Sequence, residues 1–174
     1  MANQRLEDSE RKAIEGSADA LERWEQADSE ERRRELDRVG RQMLDVWGAP
    51  NPPLAPERWE DDRCLGQYCD EDYRIEVNQR LLERDDPREA LEAYLHEYRH
   101  ASQVYDIERS HGVLAHEVDP QRTAELERSR QEYVLPEEDE RGYQDQLLER
   151  DAREFASREA EQILAERNAR EEKR

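Results

Sequence analysis

Apolar positions recur at helical spacing over two N-terminal stretches. Ile14, Ala18, Leu21 and Trp24 predict one helix from about 4 to 26. Leu36, Val39, Met43 and Trp47 mark a second. Ser29 stands at its start as an N-cap with acids in the first turn, and Gly48 is placed to end it. The other face of each helix is polar, as in a two-helix hairpin laid on a core. The run Ala49-Pro50-Asn51-Pro52-Pro53-Leu54-Ala55-Pro56 carries four prolines. It excludes helix and predicts an extended connector.

The pattern then changes to period two. Tyr73, Ile75 and Val77 alternate with charged residues, behind Cys64–Cys69 and the acidic triplet Asp70-Glu71-Asp72. That order predicts a short β-hairpin, which needs helices to pack on. A helix follows from Pro87 to about Tyr105. Asp86 is its expected N-cap, Pro87 suits the first helical position, and Glu89 would complete a capping box. Leu91, Tyr94, Leu95, Tyr98 and Tyr105 share one face of it. Residues 109 to 139 are broken up by Gly112, Pro120 and Pro136, with a short helix from about 120 to 132. A last helix is expected from about 140 to 170, ending in a frayed charged tail. The fold expected is α+β and mostly helical. Its parts are a helical hairpin over 1–48, a connector over 49–63, a compact domain over 64–165 and a tail over 166–174.

Composition narrows the function. Charged residues make up 43% of the 174 residues and hydrophobic ones 34%, with a formal net charge of -19. A surface this acidic lacks the Lys and Arg that bind phosphates, so nucleic acid and anionic membrane are not expected partners. An acidic decoy for a DNA-binding protein is a third-choice reading of the charge. Cys64 and Cys69 are too few for a disulfide framework and, five apart on an extended segment, read as free thiols. The first residues hold no apolar run of the secretory kind, which points to the cytoplasm and leaves delivery into another cell open.

The candidate chemistry is His96-Glu97-Tyr98-Arg99-His100, an HExxH inside the capped helix. Residues four apart lie on one helical face, so two imidazoles can reach one zinc ion at about 2.0–2.1 Å. Glu97, rotated by about 100°, is no ligand but can act as general base towards a water on the metal. Ala93 leaves room beside the reactive face. A third ligand is needed. The extended HExxHxxGxxH pattern is absent, since Gln103 replaces its glycine and carries Asp106 away. Glu149 is the better candidate, because Ala152 and Ala156 follow it at helical spacing and permit close approach to the HExxH helix. The same alanines also fit plain helix packing with Glu149 as a surface acid. Tyr143 is the favoured oxyanion stabiliser, with Tyr105 and His111 behind it. His116 beside Glu117 reads as a surface pair. Trp24, Trp47 and Trp59 read as core or cover.

HEYRHASQ followed by LLERDAREFA resembles zincin-like metallopeptidases of the gluzincin type. The second motif is similar to the third-ligand helix of ImmA/IrrE-type peptidases, and to small HExxH domains of bacterial polymorphic toxins. The resemblance covers roughly residues 64 to 160. It implies His96, His100 and Glu149 as zinc ligands, Glu97 as general base, a strand–helix core, and a protein or peptide substrate of narrow range. The expected activity is zinc-dependent peptide hydrolysis. The second expectation is a zinc-bearing toxin-like or regulatory binding module without turnover.

Overall fold

The computed structural model describes residues 2–47, 50–61, 63–111 and 119–173, with side chains omitted at 2–6, 45 and 47. The expectations for the Trp47 side chain, Gly48, Gly112 and the His116–Glu117 pair lie outside the described residues. The elements run α1 (Ala2–Leu21), α2 (Ser29–Trp47), β1 (Leu54–Glu57), β2 (Gly66–Cys69), β3 (Arg74–Asn78), α3 (Gln79–Leu82), α4 (Arg88–Ser110), α5 (Pro120–Gln131), α6 (Glu140–Asp145) and α7 (Leu147–Glu171). The architecture is mostly helical with one three-stranded sheet.

The hairpin forms as the alternation predicts. β2 and β3 pair antiparallel, with Tyr68 opposite Ile75, across the acidic turn. The connector supplies more than expected. Its Leu54–Glu57 segment is β1, parallel to β3, in a sheet of order β1-β3-β2. Pro56 lacks an N–H, which an edge strand tolerates and a central one does not. Ile75 and Val77 of the central strand are buried beneath α4.

One core joins the sheet to the helices. Leu21, Trp24, Leu36 and Met43 pack in the same cluster as Ile75, Leu91, Tyr94, Tyr98, Phe155 and Ile163. The two N-terminal helices therefore share this core instead of making one of their own. Trp24 is fully buried and Trp59 half-buried.

Helix ends depart from expectation at five places. The first helix stops at Leu21, and Trp24–Gln26 forms a separate 3-10 turn. At α2 the cap is Asp28, not Ser29. The Glu31 N–H donates to Asp28 Oδ1 at 2.8 Å, and the Asp28 N–H donates back to Glu31 Oε2 at 3.1 Å. Ser29 Oγ instead donates to Leu82 O. At α4, Asp86 accepts from the Arg88 N–H, but Glu89 pairs with Arg84 and closes no box. The C-terminal stretch is two helices broken at Gln146, whose backbone is extended (ψ 148°). α7 continues to Glu171, because Arg167 pairs with Glu25 and Arg170 with Asp19.

Arg32 fastens the N-terminal helices to the sheet side. It is 5% exposed, and all five of its N–H donors are engaged. They reach the carbonyls of Trp24, Glu25, Leu82 and Arg84 and the carboxylate of Asp85. The Trp24 indole N–H also donates to Arg84 O, at 2.9 Å. Arg32→Met keeps the stem and removes every donor, leaving buried carbonyls without partners. The expected cost is about 2–4 kcal/mol, read as a lower midpoint in urea at unchanged slope.

Candidate metal centre

α4 carries His96, Glu97 and His100; α7 carries Glu149. The two helices pack against each other, with Ala93 and Ala101 on one and Ala152 and Ala156 on the other all buried. Small side chains let the backbones come close enough for a glutamate to span the gap. The break at Gln146 sets the position of that glutamate. It restarts the helix at Leu147, so Glu149 stands in the first turn of α7, facing the end of the HExxH turn.

Four donor atoms converge there. His96 Nε2 lies 3.0 Å from His100 Nε2. Glu149 Oε2 lies 3.2 Å from His96 Nε2, and Oε1 lies 3.3 Å from His100 Nε2. A tetrahedral ion with bonds of about 2.0–2.1 Å has donor-to-donor edges of about 3.3 Å. The observed separations lie within a few tenths of that figure, the two to Glu149 ending on different carboxylate oxygens. Glu149 is 1% exposed, and its Oε2, 3.2 Å from His96 Nε2 and 3.9 Å from Arg153 Nη1, accepts no well-aligned hydrogen bond. A buried carboxylate oxygen without a donor normally requires a partner. A cation held by these three residues would supply it, so His96, His100 and Glu149 form a group able to hold a metal ion.

The surroundings tune these groups. Burial acts to raise the Glu149 pKa, but the His100 and His96 imidazoles beside it outweigh burial and hold the carboxyl well below the usual range. Burial opposes charge on His100, but the Glu149 and Glu97 carboxylates prevail and its pKa rises. Tyr133 Oη donates to Glu149 Oε1 at 2.7 Å. Its ring meets that of Tyr143 edge to face, centroids 6.1 Å apart. The Gln146 amide clamps the Tyr133 segment in place. It accepts from the Val134 N–H at 3.2 Å and donates to Val134 O at 3.1 Å.

Glu97 is set apart from the ligand group. It is buried against β2, where a Cβ on Gly66 would stand 2.9 Å from Glu97 Cγ. Only glycine permits that approach. Burial raises the Glu97 pKa; the two histidines lower it, Glu149 raises it, and a Tyr68 backbone hydrogen bond lowers it. The carboxyl is thus made more basic than a surface glutamate, as a proton acceptor requires. Glu97, His96, Glu149 and Tyr143 all line one cleft of ≈ 940 Å³.

The remaining candidates lie elsewhere. Asp106 is half-buried further along α4, with Arg99, Arg109 and Arg122 as its charged neighbours. Tyr105 sits under the Arg109 guanidinium. His111 is exposed and pairs with Glu127. Cys64, which lines the cleft, and Cys69 are free thiols, and burial raises the pKa of both.

Three residues that border the site were assigned no part in it from sequence: Gln103 beside His100, Asp151 bonded to Gln103, and Tyr133 bonded to Glu149. Gln103 had a usable signal, since it stands one turn after His100 on the same face. Tyr133 had none, because it is 16 residues before its partner, beyond a helix and a turn.

No described helix is long and apolar enough to cross a membrane. No protein-family model matches the chain, and neither a curated protein nor a solved structure matches it.

Proposed function

We propose that this protein is a zinc-dependent peptidase of the zincin-like kind. The observation that carries this is the convergence of His96 Nε2, His100 Nε2 and the Glu149 carboxylate within 3.0–3.3 Å of one another, with Glu97 beside them and outside the ligand set. Two nitrogens and one oxygen suit zinc, and three protein ligands leave a fourth position open, as in catalytic sites. Zinc bound there supplies a Lewis acid that acidifies water and polarises a carbonyl.

The chain's own residues do the rest. Glu97 takes the proton of the attacking water on its carboxylate and delivers it to the leaving amine. Its basicity follows from burial against Gly66. Tyr143, which lines the cleft, would donate its hydroxyl to the oxygen that gains negative charge. Tyr133 keeps Glu149 oriented. The cleft of ≈ 940 Å³ beside these groups would take a peptide segment.

Elemental analysis of the purified protein tests the assignment. About one zinc per chain is expected. Glu149→Ala is expected to lose more affinity than the roughly 10–100-fold that removing a group that merely orients a ligand costs. No zinc in the wild type after reconstitution would sink the proposal. Zinc without hydrolysis of any peptide would favour a binding module that never turns over.

A further inference from the structure

Gln103 is 1% exposed and lies between the two helices that carry the ligands. Its Nε2 donates to Leu148 O at 3.1 Å and to Asp151 Oδ2 at 2.7 Å. Its Oε1 lies 2.9 Å from His100 Nδ1. A backbone carbonyl can only accept a hydrogen bond. The Asp151 carboxylate, engaged by Arg99 at 2.8 Å and by Arg122, accepts as well. The amide nitrogen therefore faces α7, and the amide oxygen faces the imidazole. That oxygen has no hydrogen to give, so Nδ1 must carry it. A neutral imidazole protonated at Nδ1 has its lone pair on Nε2. Nε2 is the atom directed at His96 and Glu149.

We infer that Gln103 is a positioning residue: it locks His100 in the tautomer that offers Nε2 to the metal, and ties that tautomer to the helix bearing Glu149. The inference rests on the metal-site proposal but is tested separately from it. Leu148 and Asp151 flank Glu149 in sequence. One amide thus orients a ligand of α4 and, on α7, holds the Leu148 carbonyl just before Glu149 and the Asp151 carboxylate just after it. Turning the amide over would forfeit both bonds to α7. It would also place N–H against Nδ1 and drive the imidazole hydrogen to Nε2, where it blocks the metal. Glutamine at this position continues the helix and spans to its neighbour.

A glutamine that only packed two helices together would leave the imidazole free to choose its tautomer. Two-bond ¹H–¹⁵N correlation spectra of histidine-labelled, metal-free protein, taken where the imidazoles are neutral, read that choice directly. His100 in the wild type is expected to carry its hydrogen on Nδ1. Gln103→Met keeps the length and packing and removes both amide functions. It is expected to show mixed tautomers, a far-UV spectrum like the wild type's, and a zinc dissociation constant raised about 10–100-fold in chelator competition. A wild-type His100 protonated on Nε2 overturns the inference, as does a Gln103→Met protein with tautomer and affinity unchanged. Should that variant fail to fold, the wild-type tautomer still decides. Absence of zinc from the wild type would count against the metal site, while the tautomer measurement stands alone.

Discussion

The His96→Ala/His100→Ala protein is expected to purify with no zinc above background and to take up none on reconstitution. Two of three donors are lost, and the Glu149 carboxylate left behind cannot hold the ion against water and buffer. The fold is expected to survive. Both imidazoles keep part of their surface in the cleft, at 19% and 17% side-chain exposure, and neither belongs to the apolar cluster of Leu91, Tyr94, Leu95 and Tyr98. Glu149 keeps the Tyr133 hydroxyl as a donor. Circular dichroism should therefore match the wild type, with a midpoint lower by several degrees for the less well-paired carboxylate. Zinc retained at one per chain in the double variant would place the ion elsewhere and refute the assignment.

Glu97→Gln should do the opposite, keeping zinc and losing turnover. The amide matches the carboxylate in shape, so the approach to Gly66 is preserved. What disappears is the ability to accept a proton. Removal of a general base costs about 10²–10⁴ in rate. The fall should appear in kcat, with zinc content and thermal midpoint little changed. Digestion of a mixed peptide library, followed by mass spectrometry, supplies an assay that requires no chosen substrate. Turnover in Glu97→Gln equal to the wild type's would remove Glu97 from the mechanism. The net charge of -19 suggests that cleaved peptides will be enriched in Lys and Arg, since long-range attraction concentrates cations at such a surface.

Much of the site's local geometry was legible in the chain. His96 and His100 share a face because their spacing is close to one helical turn, and nothing distant is needed for that. The buried stripe of α4, the hairpin across Asp70–Asp72 and the alanines after Glu149 also follow from period and size alone. Capping was less legible. Asp28 and Ser29 are both good caps, and the choice went to the one whose partner Glu31 could answer. Glu89 was drawn off by Arg84, a residue of the preceding turn.

Tertiary structure decided the rest, because the deciding partners are far apart in sequence. β1 became a strand only because β3 offered its edge to a proline-rich segment. The break at Gln146 depends on Val134, which takes both hydrogen bonds of its amide and so brings Tyr133 to Glu149. Gln103 looked like the loss of a glycine until Leu148 and Asp151 supplied acceptors from another helix. Helical period sets which side chains share a face. Which polar groups find partners across a buried gap is set by packing, since a buried donor or acceptor is costly unless a particular distant atom meets it.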